Sequence, residues 1–289
     1  MAAVRIMSMR MSLRFLVCLM LGAGAFAQNS VATPKYEVYA IRYATIGDFQ
    51  VAGLVTGADP SRKMDLAMMV WLVKGEGRNI LVDAGFYREQ FFKQWKSIRD
   101  FQKPSEALAR VGLKPEDITD VIITHMHWDH ADGMDLFPKA KIWIQKDEYT
   151  YYTGDAWHAK KTHGGIDPDD VLAIVKLNMD GRVQMVSGDD QEILPGIACF
   201  IGGKHTFQSQ YVSVSTAKGT VVLASDNMYL YENLEKHVPI AATLDSDSNL
   251  RAQDRMKQIA SDPRLIIPGH DPAVFTKFPA AGERVAKIE

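Results

Sequence analysis

The sequence is short of several things, and each shortage removes a class of protein. Two cysteines in 289 residues cannot form a disulfide framework that would hold a small fold together. No apolar run reaches the roughly 18–20 residues that cross a bilayer as a helix; a run from Phe15 to Phe26 is too short. Charge of one sign is also lacking. Lysine and arginine number 33 against 35 acids, a formal net charge of −2, and no basic cluster stands out, so nucleic acid is not an expected partner. Glycine (21) and proline (12) occur without period, which excludes a collagen-like or low-complexity chain. No repeat of fixed short period is visible. What is present is ordinary: 47% hydrophobic and 24% charged residues, enough apolar side chain to bury a full core, which excludes a disordered chain.

The N-terminal 27 residues read as a cleaved export signal. Arg5, Arg10 and Arg14 make a basic region without an acid, Phe15 to Phe26 is the apolar stretch, and Ala25-Phe26-Ala27 is a small-x-small cleavage site before Gln28. The expected location is periplasmic or secreted, with no stable membrane anchor after cleavage. Residues 28–289 then form a single domain. Its removal of three arginines and no acid takes the net charge from −2 to −5, which suits solubility and offers nothing to anionic partners. Cys18 leaves with the signal, and Cys199, inside the apolar run Ile197 to Ile201, is expected to be a small buried hydrophobe.

Strand signals come at Tyr36 to Ile46, at Ala67 to Lys74 and Asn79 to Val82 (a hairpin across the intervening turn), at Asp120 to Thr124 and at Lys141 to Gln145. Apolar residues at helical spacing predict helices over Glu89 to Ile98, over Pro104 to Val111 before Gly112, and from about Asp147. Thr153 to Asp170 is polar and turn-rich and reads as a long loop or cap. Strands follow at Arg182 to Val186, Ile197 to Ile201, Tyr211 to Ser215 and Thr220 to Ala224. A helix spans Ser248 to Ala260, and Arg264 to Ile267 is a final short strand. Strand-rich blocks with helices between them, in two similar halves, predict an α/β fold with two packed sheets and helices outside.

The chemistry concentrates where the strand Asp120 to Thr124 runs into His125-Met126-His127-Trp128-Asp129-His130. In an extended segment alternate residues point the same way, so His125, His127 and Asp129 are expected on one side and His130 at the following turn. Imidazole nitrogen and carboxylate oxygen are zinc ligands, and four of them in six residues are too many for one open tetrahedral site. The spacing favours two adjacent ions that each need ligands from elsewhere. His205, Asp226 and His270 supply them, each just past a predicted strand, where loops gather at one edge of a layered fold. An isolated histidine is ordinarily a core or surface residue, and His158, His163 and His237 are read that way.

This pattern of His-x-His-x-Asp-His after a strand, followed by a distant His, Asp and His, resembles the metallo-β-lactamase superfamily. Asn79 to Gly85 (NILVDAG) is similar to that superfamily's early strand and aspartate turn. The resemblance spans about Tyr36 to Phe278. It implies a four-layer αββα sandwich with a two-metal site at one edge. Carried over, His125, His127 and His205 hold one ion; Asp129, His130 and His270 hold the other; Asp226 bridges; Asp83 orients a ligand loop by hydrogen bonding. The cofactors implied are two divalent ions, zinc by ligand preference. Asp226 to Leu234 (DNMYLYENL), Met64-Asp65, Trp71 and Pro268-Gly269-His270-Asp271 resemble the N-acyl-homoserine lactonase branch, with Tyr229 three residues after the bridging aspartate. The bridge counts against a true β-lactamase, and a histidine at His127 counts against an oxygen-reducing flavodiiron protein. One departure stands out: Gly203-Lys204-His205 replaces the Pro-Gly that precedes the third histidine in many relatives.

The resemblance implies a lactone-opening hydrolase in which hydroxide held by the ions attacks the ester carbonyl of a small-molecule substrate. Asp129, Asp226 and Tyr229 are the expected catalytic side chains. Tyr229 would donate to the developing oxyanion, and Asp226 or Asp129 would carry a proton to the leaving oxygen. Phe86 and Phe207, with Met64 and Met68, are expected near the rim as walls for an acyl tail. A homodimer is compatible with the chain. Alternatives on the same residues are a broad esterase, a weak β-lactamase, or a single-iron dioxygenase using only His125, His127 and Asp226; a non-catalytic module is disfavoured because a closed structural site needs only four ligands.

Overall fold

Fourteen strands alternate with eight α-helices over the described residues, which are 1–2, 34–158 and 164–289 of a computed structural model. The expected signal, apart from Met1 and Ala2, lies outside them, as does His163. The chain opens with β1 (Glu37–Gln50), β2 (Lys63–Gly75) and β3 (Arg78–Val82), then β4 (Ile98–Arg99), β5 (Asp120–Ile122), β6 (Lys141–Gln145) and β7 (Val183–Val186). A second run comprises β8 (Gln191–Leu194), β9 (Ile197–Ile201), β10 (Gln210–Thr216), β11 (Gly219–Ser225) and β12 (Ile266–Pro268). Finally β13 (Ala280–Gly282) and β14 (Val285–Lys287) return to the first sheet beside β1. The first sheet has the order β13-β14-β1-β2-β3-β5-β6-β7, with β4 also on β1, and the second has the order β12-β11-β10-β9-β8.

Period-two alternation along the central strands creates three separate cores and therefore four layers. In β1 and β2, Ile41, Tyr43, Val70 and Leu72 face outward onto helices, while Val38, Ala40, Trp71 and Val73 face the second sheet. The second sheet answers with Cys199, Val212, Val214, Val221 and Leu223 on its inner face. Its outer face carries Tyr211, Val222 and Ala224 against Ala252 and Met256. The last two belong to α7 (Ser246–Ile259). The layers are helix, sheet, sheet, helix: the expected αββα sandwich. Cys199 is fully buried, and burial alone pushes its thiol up, so it behaves as the small hydrophobe expected.

The remaining helices are α1 (Glu89–Gln94), α2 (Pro104–Ala107), α3 (Trp128–Ala131), α4 (Lys146–Tyr152), α5 (Pro168–Met179), α6 (Tyr231–Lys236) and α8 (Val274–Lys277). Four expectations need correction. The helix from Glu89 stops at Gln94, and Ile98 and Arg99 instead pair with Ile46 and Thr45 of β1. The long loop ends at Asp167, whose carboxylate accepts from Asp169 N–H and caps α5, with Pro168 at the first helical position. The last strand is β14 and not the segment at Ile266. Unequal sheets replace the two similar halves, because the C-terminal hairpin joins the first. Among the described residues no helix is long and apolar enough to cross a membrane.

One backbone contact fixes the site's position. Ala84 N–H donates to the His130 carbonyl, and Gly133 N–H donates to the Gly85 carbonyl, both at 2.8 Å. A β-carbon on Gly133 would overlap the Ala84 carbonyl oxygen. Gly133→Ala is expected to cost about 1–3 kcal/mol, the usual penalty of overpacking. Urea unfolding followed by circular dichroism measures it, and an unchanged midpoint would contradict the close approach.

Candidate active site

Strand direction brings the titratable residues together. β5 runs parallel to β3 and β6, and β11 runs parallel to β12, with β9 in the same sense two strands away. The C-terminal ends of β5, β9, β11 and β12 therefore open onto one edge. They are followed there by His125, His205, Asp226 and His270 respectively. The His-x-His-x-Asp-His segment is not extended throughout, as expected from alternation. His127 stands just before α3, so Asp129 and His130 lie on a helical turn. This bend sends His125 and His127 to one group of ligands and Asp129 and His130 to the other.

The first group is His125, His127, His205 and Asp226; the second is Asp129, His130 and His270. In the first, His127 Nδ1 lies 3.1 Å from His125 Nε2 and 2.9 Å from His205 Nε2. Asp226 Oδ2 is 3.3 Å from His205 Nε2 and 3.7 Å from His125 Nε2. In the second, Asp129 Oδ2 is 3.6 Å from both His130 Nε2 and His270 Nε2. The other oxygen of Asp226, Oδ1, is 3.3 Å from His130 Nε2 and 3.0 Å from His270 Nε2. One carboxylate thus presents an oxygen to each group. A tetrahedron around an ion with bonds of about 2.0–2.1 Å has edges of roughly 3.4 Å, so both donor sets fit a small divalent cation. His130 Nε2 and Asp226 Oδ1 are buried and make no hydrogen bond, as ligand atoms held for a cation would be.

Partners outside the ring fix which nitrogen faces inward. His205 Nδ1 lies 2.8 Å from the Ala242 carbonyl and His270 Nδ1 3.3 Å from the Ala67 carbonyl. Since each carbonyl only accepts, each Nδ1 donates and each Nε2 keeps its lone pair for the site. His130 Nδ1 is 2.8 Å from Asp83 Oδ2. Asp83, fully buried with φ of +62°, also accepts from Thr124 N–H at 2.8 Å and from the Ser225 hydroxyl at 2.9 Å. It thus ties β3, the His125 loop and the Asp226 loop together.

Charge is unevenly distributed. Burial, reinforced by neighbouring imidazoles, holds His125 and His127 well below the ordinary histidine value. Burial opposes charge on His130 as well, but the Asp226, Asp129 and Asp83 carboxylates outweigh it and raise His130 well above that value. His270 is raised on the same balance by Asp226 and Asp129. Asp226, despite burial, is held well below the carboxylate range by His130 and His270. Cation binding here competes with protons on these groups.

Tyr229 is buried beside the ring, its hydroxyl 3.4 Å from His205 Nδ1, and burial followed by Asp226 and Asp129 pushes its phenol well up. Phe207 is half-buried and stacks on Tyr151 at 3.9 Å, next to the His205 loop. Phe86 is not at the rim. It is wholly buried among Tyr43, Phe91, Phe92, Phe101 and Trp128, because it follows β3 into the outer core. Met68 is likewise core. The Gly202-Gly203 pair before His205 has a steric reason: β-carbons there would strike Asn227 and Asn249. Lys204 takes up the left-handed backbone (φ +56°), and its ammonium group donates to the Phe207 carbonyl and Gln208 Oε1. Sequence reasoning missed Glu148 on α4, which is wholly buried and bonded to two ligand loops; an acid in a helix's first turn looks like ordinary capping charge.

Comparison with known proteins agrees with this geometry. The sequence profile of the metallo-beta-lactamase superfamily matches residues 67–270, more than half of the chain. An N-acyl homoserine lactonase of Bacillus cereus is 29% identical over 226 residues, covering 73% of this chain and 84% of the relative. The N-acyl homoserine lactonase AiiA of Bacillus thuringiensis subsp. kurstaki is 26% identical over 229 residues, with the same coverage. Among solved structures, a quorum-quenching N-acyl homoserine lactone lactonase superimposes with a TM-score of 0.69 at 25% identity, over 86% of this chain and 97% of the other. A mutant of B. thuringiensis AiiA with N-decanoyl-L-homoserine bound at its active site gives 0.67 at 25% identity, over 86% and 98%. With the matched profile ending on His270 and both ligand groups assembled within it, the chain belongs to the metallo-β-lactamase superfamily.

Proposed function

We propose that this protein is a metal-dependent hydrolase that opens lactones of the N-acyl-homoserine type, using two divalent ions. The observation that carries the two-ion reading is Asp226, with one carboxylate oxygen toward each ligand group. The lactone reading draws on the activity named for its relatives and on the acyl-homoserine bound in one of them. Zinc suits the nitrogen and oxygen donors best. When bound, such ions lower the pKa of water and polarise an ester carbonyl.

The chain's own groups do the rest. Seven side chains, His125, His127, Asp129, His130, His205, Asp226 and His270, hold the ions, and Asp83 keeps Nε2 of His130 turned inward. Tyr229 has a hydroxyl proton to give, since His205 Nδ1 already donates to Ala242; it donates to the carbonyl oxygen as negative charge develops there. Asp129, whose side chain is 13% exposed against 4% for Asp226, is the carboxylate better placed to hand a proton to the leaving alkoxide. Phe207 and Tyr151 form an aromatic wall suited to an acyl chain.

A panel of acyl-homoserine lactones, aryl esters and a chromogenic cephalosporin tests the substrate class; a metal-replete enzyme that turns over the ester or cephalosporin and no lactone would overturn it. Elemental analysis after dialysis should find two ions per chain. His130→Ala should lose mainly one, and Asp226→Ala should weaken both, because only Asp226 serves both groups; equal metal content in all three proteins would contradict the bridge. Tyr229→Phe removes one donor and little volume. Losing one oxyanion donor costs about 10²–10³ in kcat; with metal ions sharing the charge, a fall at or below the low end is expected, with metal content and KM unchanged. An unchanged kcat would assign Tyr229 to packing. Export is part of the same proposal, carried by the composition of residues 1–27. N-terminal sequencing from the native host should begin at Gln28, and a retained Phe15 to Phe26 segment on soluble cytoplasmic protein would refute it.

A further inference from the structure

Glu148 is a fully buried acid with no arginine or lysine paired to it among the described residues. It sits in the first turn of α4, directly after β6. Its side-chain hydrogen bonds go to the two loops that carry the three histidines of the first ligand group. Oε1 accepts from Met126 N–H at 3.1 Å and from the Thr206 hydroxyl at 2.7 Å, and Oε2 accepts from Gln208 N–H at 2.6 Å. Met126 lies between His125 and His127. Thr206 follows His205, and Gln208 closes the same turn. One carboxylate thus joins loops 58 to 60 residues and 22 residues away in sequence.

The hydrogen bonds of Glu148 do not reach the second group. Its members are held by Asp83 on His130, by the Tyr43 hydroxyl on the Asp129 carbonyl at 3.2 Å, and by the Ala67 carbonyl on His270. Asp83 serves both groups, bonding His130 directly and the His125 loop through Thr124, whereas the bonds of Glu148 go only to loops of the first group.

We infer that Glu148 is a positioning residue that sets the register of His125, His127 and His205, and so selectively sets the affinity of the first metal site. This rests on the two-ion reading above. Burying an isolated carboxylate is costly, and burial does push Glu148 upward, with the bonds from Thr206, Gln208 and Met126 acting against that rise. Three charge-assisted bonds can offset the cost and shorten the loops' freedom to drift. The buried acid also adds negative charge behind the three imidazoles that would hold a dication, which favours the loaded state. Glutamine cannot substitute: its amide nitrogen would have to face a backbone N–H or lose a bond.

The test is a two-site titration of the full-length protein with Co(II), read by the visible absorption of each bound ion and by dialysis-equilibrium stoichiometry. Partners of this kind are worth about 10–100-fold in metal affinity. Glu148→Gln should weaken one site by that factor, change that site's absorption band, and leave the other site as in the wild type. Thr206→Val, which removes one of the three bonds at nearly constant volume, should act on the same site by a smaller factor, and Thr206→Ser should restore it. The Thr206 pair decides the matter if Glu148→Gln does not fold. Equal weakening of both sites, or wild-type affinity at both, would overturn the inference. A wild-type protein that binds a single ion would refute the two-ion reading instead, and the same comparison at that one site would still decide the role of Glu148.

Discussion

Asp226 imposes the constraint on which the site edge depends. A carboxylate that is all but buried must face five imidazoles, with one oxygen toward each group. Such an ion is costly in a low-dielectric interior unless hydrogen bonds or positive charge compensate it. The carboxylates around His130 and His270 raise both imidazoles, while burial holds His125 and His127 low, so the two sides of the ring differ in their readiness to carry positive charge. A cation held by each group would compensate both sides at once. The ring is therefore an arrangement that is poorly compensated by itself and well compensated by the ions its donors fit.

The scaffold supplies rigidity where that arrangement needs it. Four of the ligands, His125, His205, Asp226 and His270, follow strands that pack in the core, so sheet hydrogen bonds fix the backbone up to the start of each ligand loop. The loops are then pinned by a few buried polar groups. Asp83 links the first sheet to the second through Thr124 and Ser225; Asn227 accepts from Gly203 N–H at 2.8 Å and from the Ser209 hydroxyl at 3.0 Å; Glu148 spans the His125 and His205 loops. These groups are satisfied networks and not isolated polar atoms, so their burial buys orientation of the ligands.

Much of this was legible in the residues. The dense motif after a strand, and single His or Asp residues after later strands, mark a site because few structural roles need such clustering, and the structure assembles all seven in two groups. What was illegible depends on tertiary context. Phe86 and Phe207 look alike in sequence; one is core and one lies beside the site loops, and periodicity cannot tell them apart. The start of α5 carried a readable Asp167-Pro168 signal that the polar composition around it obscured. β13 and β14 are three residues each and are strands only because β1, more than 200 residues earlier, offers an edge. Glu148 became visible only when the loops it bonds were in place.

The central claim is that Asp226 joins two cation sites in one buried ring. Anomalous diffraction from crystals of the zinc-loaded protein tests it most directly. The account predicts two peaks about 3.5–4 Å apart, as in two-metal sites generally, with Asp226 contributing one oxygen to each, His125, His127 and His205 around the first, and Asp129, His130 and His270 around the second. A single peak, with Asp129 and His130 left without a metal, would contradict it.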